Sequence, residues 1–256
     1  MTHDQPPAPI TRSAASQSGP QSGQQPAPTG GEGASPALTH GSLSAHGLRA
    51  ADAAWRSPRA WFWLAIVTAV ALIVDLWSKW LAFKHIAPFP AVINKTEVLS
   101  TDYLSKLIPP HDSLVVVPGL LEFTLVLNPG AVFGMGAGKR AFFIFFTGFA
   151  LLFALYMFAA MTTVSQRFSQ AAIGLLLAGG LGNLYDRIVF ACVRDFLHPL
   201  PGLTWPVWAP ARWAGQEVWP YVSNIADLWL ILGIGVLIIR SLRPPPVPVP
   251  APSVNP

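Results

Sequence analysis

The sequence is short of charge and nearly without cysteine. Of its 256 residues, 11% are Asp, Glu, Lys or Arg and 52% are hydrophobic, where soluble domains carry about 25% charged residues. That deficit argues against an ordinary soluble domain and for an integral membrane protein. The formal charge of +4 comes with no Lys/Arg block, so the electrostatic footprint of a nucleic-acid binder is missing. Cys192 stands alone and can neither close an intrachain disulfide nor build a thiolate metal site. Neither Gly-x-Ser-x-Gly nor His-Glu-x-x-His occurs, which removes the serine-hydrolase elbow and the zincin helix. There is no internal repeat, and no secretory signal pattern opens the sequence.

What is present is four apolar runs between two low-complexity tails. Residues 1–58 are rich in Pro, Gly, Ser, Gln and Ala and read as a disordered tail, because such a segment buries too little apolar surface to fold alone. Residues 242–256 are proline-rich and read as an extended tail. Between them, residues 59–241 form the expected folded domain. A membrane-crossing helix needs roughly 20 mostly apolar residues, and four segments offer them: about 61–83, 141–163, 171–190 and 222–239. The expectation is a four-transmembrane-helix bundle, an all-α integral membrane fold with a small extracytoplasmic β-sheet. Strands are expected at 115–117 and 122–127, with Pro118-Gly119 as the turn. Trp205, Trp208, Trp213 and Trp219 mark a second outer segment suited to the headgroup layer.

Short links force neighbouring spans to alternate direction. Arg49, Arg56, Arg59, Arg167, Arg240 and Arg243 flank one side and put both termini in the cytoplasm. Lys84, Lys95, Lys106, Lys139, Arg140, Arg194 and Arg212 oppose that assignment, so the short Arg167 link is the better guide. With this topology Asp75, Lys79, Asn183, Asp186, Arg187, Asp195, Asn224 and Asp227 all gather toward the outer face. Ionisable groups at membrane depth are functional by default.

Four motifs in this order resemble one family, the lipoprotein signal peptidases or signal peptidases II. "DLWSKW" (75–80) is similar to the family's Asp-x-x-Thr/Ser-Lys box, and "LNPGAVFG" (127–134) to its Asn-x-Gly-x-Ala-Phe box. "GGLGNLYDRIVFACVRDF" (179–196) resembles the Gly-Asn-x-x-Asp-Arg…Val-x-Asp-Phe box, and "SNIADLWLILG" (223–233) the Phe-Asn-x-Ala-Asp box. The resemblance implies a multi-pass enzyme of the inner (cytoplasmic) membrane, with Asp195 and Asp227 as the catalytic dyad of an aspartic endopeptidase. It implies that Asn183, Asp186, Arg187 and Asn224 line or brace the site, with Asn128, Asp75 and Lys79 as further site or support positions. It implies removal of signal peptides from diacylglyceryl-modified prolipoproteins, on the amino side of the lipidated cysteine, with no metal or organic cofactor. Expected partners are those prolipoproteins and membrane lipids, and the chain is read as a monomer. Ser78, Pro129 and Val132 depart from the usual boxes, Cys192 and Arg194 replace a more typical apolar pair, and 87–111 and 199–219 are insertions.

Two aspartates hydrolyse a peptide by sharing one proton: like charges about 3 Å apart cannot both ionise. One carboxylate draws a proton from water while the other carboxyl donates one to the oxyanion or leaving amine. Asn183 and Asp186 are i, i+3 on one helix face, a spacing Asn224 and Asp227 repeat. Asp75 and Lys79, at i, i+4, can pair, or Lys79 can snorkel to the headgroups. Arg187 reads as a structural partner or lipid-phosphate contact, and His198 as a surface histidine. Ser78 and Lys79 point about 100° apart, which argues against a Ser-Lys nucleophile. The alternatives are a small membrane transporter, which would keep its acids near the midplane, and a catalytically inactive lipid- or lipoprotein-binding relative.

Overall fold

The computed structural model describes residues 52–130 and 140–242. Most of the two expected tails, and residues 131–139 with part of the box at 127–134, lie outside the described residues. The expected tail boundary at 58 needs moving. Ala53 pairs with Thr163, the Ala54 amide donates to the Thr162 carbonyl, and Ala54 is fully buried.

Four long helices fall where the apolar runs are. Helix α1 is Pro58–His85, started by the Ser57 side chain accepting from the Ala60 amide and by Pro58 at the first turn, where a missing N–H costs nothing. A short helix, α2 (Lys95–Ser100), is capped by Asn94 and lies inside the 87–111 insertion, where no helix was expected. Helices α3 (Arg140–Met161), α4 (Arg167–Val189) and α5 (Ile225–Ser241) complete the set. Two of them, α1 and α3, are long and apolar enough to cross a membrane, at mean hydropathy 2.0 and 2.2. The other two differ for separate reasons. Helix α4 has the length but carries Ser169, Gln170, Asn183, Asp186 and Arg187. Helix α5 has 17 residues, about 26 Å at 1.5 Å per residue, short of a ~30 Å core.

Helix α4 is central and packs against α1, α3 and α5. Small residues let it come close: a side chain at Gly182 would collide with the Asp75 carboxylate, and one at Gly179 with the Ala226 carbonyl. Close helix approach through glycine is a membrane-packing device. Helix α3 instead turns its aromatics outward, with only Ala154 and Phe158 buried. Phe145, Phe149 and Leu152 are each at least 68% exposed, an apolar surface too large for water to cover comfortably.

The chain is not all-α. Strands β1 (Leu114–Val117), β2 (Leu121–Asn128) and β3 (Val193–Pro199) form an antiparallel sheet in the order β1-β2-β3. The first two match the expected strands; β3 was not expected. Beneath the sheet Phe83, Val98, Leu125, Leu127, Cys192 and Phe196 make one apolar cluster. A second, at the other end of the helices, gathers Ala54, Leu64, Phe158 and Ile173.

Candidate active site

Asp195 is brought to the site by a strand. The chain leaves α4 through Ala191, whose φ of +63° is the left-handed region that L-residues avoid, and enters β3. There Val126 faces Asp195 and Asn128 faces Val193, so Asn128 is the diagonal cross-strand neighbour of Asp195. The same strand recruits α5. Leu197 and Ser223 exchange backbone hydrogen bonds, each 2.8 Å, which sets the residue after Ser223 beside β3.

That residue is Asn224, and it caps α5. Its side chain accepts from the Asp227 amide while Asp227 accepts from the Asn224 amide, both at 3.2 Å, a closed capping box. The Asn224 Nδ2 is then free to donate to Asp195 at 2.6 Å and to the Asn183 Oδ1 at 3.2 Å. Asn183 donates to Asp227 at 2.8 Å. Asn128 donates to the other Asp195 oxygen at 3.0 Å. Two amides therefore connect the two acids. Asp195 is 1% exposed. Its carboxyl is pushed up to about 7, first by burial and then by the negative Asp227, against the hydrogen bonds from Asn224 and Asn128.

Beneath the acids lies a fully buried ionic layer. Lys79 Nζ is 2.9 Å from Asp75, 3.4 Å from Asp186 and 3.1 Å from the Asn183 Oδ1. Lys79 is 0% exposed, so it does not snorkel. Pinned by the two carboxylates, it holds the Asn183 Oδ1 in place. Asp75 also accepts from the Ala226 amide at 2.8 Å, holding the first turn of α5 against α1. Asp186 takes the Arg194 guanidinium by Nη2 at 2.8 Å and Nε at 3.3 Å, and the Arg194 amide at 3.0 Å. That fork ties α4 to β3 immediately before Asp195. In the sequence Arg194 stands out as a departure from the family boxes and as an outer-side positive charge, not as a partner of Asp186. Its spacing from Asp186, across a helix end and a turn, carries no sequence signature.

Asn128, Asn183, Asp195 and Asp227 line a cavity of about 660 Å³, together with Arg187 and apolar residues that include Leu121, Leu228 and Ile231. Arg187 donates to the Asn183 carbonyl at 3.2 Å and lies over the Phe143 ring at 5.3 Å. Asn128, Asn183, Arg187, Asp195 and Asp227 thus line this cavity, Asp75, Lys79 and Asp186 lie in the ionic layer, and buried Asn224 bridges Asp195 and Asn183. Trp219 and Tyr221 form part of the rim. They follow a hairpin in which Leu203 and Trp205 pair with Val218 and Gln216, and Trp205 stacks on Trp213 at 5.7 Å. His198 is not a lone surface histidine: it is half-buried, 3.7 Å from Glu217 of that hairpin. Among the described residues no group of three or more His, Cys, Asp or Glu has metal-holding geometry.

Comparison with known proteins gives one answer. The lipoprotein signal peptidase of Moorella thermoacetica is 32% identical over 162 residues, covering 60% of this chain and 94% of that one. The lipoprotein signal peptidase of Staphylococcus aureus is 35% identical over 133 residues, covering 52% and 72%. A solved bacterial membrane enzyme is similar at 27% identity and TM-score 0.48, over 70% of this chain and 87% of that one. The family model for signal peptidase (SPase) II matches residues 67–243, and the chain belongs to that family.

Proposed function

We propose that this protease is an intramembrane aspartic endopeptidase. It removes the signal peptide from diacylglyceryl-modified prolipoproteins, cutting on the amino side of the lipidated cysteine. Asp195 and Asp227 are its dyad. The observation that carries the reading is the amide bridge itself: two carboxyl groups on different elements share one cavity wall through Asn224 and Asn183. A charge count supports one shared proton. Asp75, Asp186, Asp195 and Asp227 face Lys79, Arg187 and Arg194, and the one excess negative charge is neutralised by a single proton on the pair.

In this mechanism buried Asp195 holds the proton and Asp227, at a helix start that favours negative charge, takes one from the attacking water. Proton donation from Asp195 then stabilises the oxyanion or the leaving amine. Asn128 and Asn224 keep the Asp195 carboxyl in one plane, and Arg187 positions the substrate backbone. Lys79, Asp75 and Asp186 act through Asn183 and Arg194 and are positioning residues. All four long helices cross the inner membrane, with both termini cytoplasmic and the dyad near the extracytoplasmic face. Helix α5 spans despite its length because its capped start is tied to β3 by the Leu197–Ser223 pairing and continues the outer layer rather than lying in lipid. The acids cluster at one end of the bundle, which favours a protease meeting substrate at the interface over a transporter.

The test is cleavage of a purified diacylglyceryl-modified prolipoprotein in detergent by wild type, Asp195→Asn and Asp227→Asn. Each variant should lose at least roughly 10³-fold in kcat while remaining folded and membrane-inserted. Substantial turnover by either variant would break the dyad.

A further inference from the structure

A second cavity, of about 380 Å³, lies across β3 from the dyad. Successive strand residues face opposite ways, so Arg194 points here while Asp195 points to the active site. The cavity is walled by Trp80, Phe83, Phe190 and the loop 90–93, and among the described residues its charged lining is Lys84 and Arg194. Arg194 is 8% exposed. Its Nε and Nη2 are taken by Asp186, while Nη1 has no hydrogen-bond partner among the described residues. The guanidinium carbon is 4.2 Å from the Phe190 centroid and 6.0 Å from that of Phe83. Lys84 lies over Trp80 at 4.5 Å. Both cations are therefore pre-positioned, which lowers the entropy lost on binding an anion.

We infer that this cavity binds the phosphate of a membrane phospholipid. An anionic ligand is favoured, because Lys84 and the Arg194 Nη1 left over from the Asp186 pair face the cavity, and no carboxylate among the described residues lines it. A phosphate ester fits the planar fork geometry that Arg offers. The remaining lining is apolar, and Phe89 and Val92 beside it are 73% and 80% exposed, which suits acyl chains rather than a free ion. Lys84 is in the last turn of α1, next to Trp80, the pairing found at headgroup depth. This cavity shares no lining residue with the one that holds the two acids, and the diacylglyceryl group of the proposed substrate carries no phosphate, so the inference does not depend on the dyad reading. Because Arg194 also grips Asp186, a bound lipid would brace the strand that carries Asp195.

The full chain in detergent is titrated with phosphatidylglycerol, diacylglycerol and inorganic phosphate, and bound molecules are counted by native mass spectrometry. One phosphatidylglycerol should bind in preference to diacylglycerol and resist millimolar inorganic phosphate. Lys84→Gln, an exposed change that leaves the fold intact, should weaken it about fivefold or more. Arg194→Lys, which keeps the charge and loses the fork, should do the same. Equal binding by wild type and Lys84→Gln would overturn the site. Equal retention of diacylglycerol would overturn phosphate recognition, and displacement by inorganic phosphate would overturn the lipid as its source.

Discussion

The two proposed catalytic acids reach one cavity from opposite kinds of structure. Asp227 sits in the first turn of α5, half-buried, inside a capping box whose parts lie within four residues of one another. Asp195 sits on β3, 1% exposed, against Asn128, which is 67 residues earlier in the chain. One acid is held by local geometry at a helix end that favours its charge. The other is held by long-range pairing in a dry setting that disfavours charge. Under the proposed mechanism the difference teaches how two identical side chains are given unlike tasks: scaffold, rather than residue type, separates the proposed proton holder from the proposed base.

Asn224 is the joint between these settings, so its replacement should produce the largest effect short of removing an acid. Asn224→Ser keeps an N-cap oxygen but cannot span to both Asp195 and Asn183. Cleavage by this variant should fall about 100-fold, close to 2.7 kcal/mol of transition-state stabilisation, with little change in stability. Asn224→Ala should lose the same activity and about 1 kcal/mol of stability besides. Steady-state kinetics and thermal unfolding read the two effects separately. If the serine variant cleaves normally, the two settings are independent and the amide bridge is not what couples them.

A smaller effect concerns the proton. With the Asp195 carboxyl at about 7, the singly protonated pair is lost above that pH, and kcat/KM should drop about tenfold per unit. Asn128→Ala removes a hydrogen bond that favours ionised Asp195. The carboxyl then moves further up, and the alkaline limb should shift to higher pH. A shift the other way would mean that the limb reports another group. Stability carries the same sign. The folded protein holds this proton more tightly than the unfolded chain, whose carboxyl titrates near 3.8. Wild type should therefore lose stability as pH rises from about 4 to 7 and then level off. Asp195→Asn should flatten that slope in thermal unfolding scans.

The same contrast explains what could be read in advance. The helix at Asp227 was legible because its signals are local: an i, i+3 Asn-Asp pair at the start of an apolar run. So were β1 and β2, whose β-branched residues and Pro-Gly turn are contiguous. Strand β3 was not, because Val-Arg-Asp-Phe-Leu-His declares itself a strand only once β2 is there to pair with it. Helix α2 was missed for a related reason: six residues are too few for a periodic signal, and α2 stands by its Asn94 cap and by Lys95 donating to the Ile188 carbonyl at 2.9 Å. The ionic layer was half legible. The Asp75–Lys79 pair follows from i, i+4 spacing, but the route from Lys79 through Asp186 to Arg194 needs three elements already packed.

The smallest expected effect lies on the strand side of the comparison, at Cys192. It lies immediately before β3, three residues before Asp195, and is fully buried. Burial, with Asp186 nearby, pushes its thiol up to about 12, so at pH 8 only about one molecule in 10⁴ carries the thiolate that reacts. A maleimide should leave the folded protein unlabelled and active, and should label it fully after unfolding in detergent. Cys192→Ala should keep kcat/KM within about twofold, since a buried free cysteine behaves as a small hydrophobe. Rapid labelling of folded protein with loss of cleavage would mean that the start of β3 opens to solvent. The dry setting assigned to Asp195 would then be intermittent, and the separation of roles between the acids would have to come from the helix end alone.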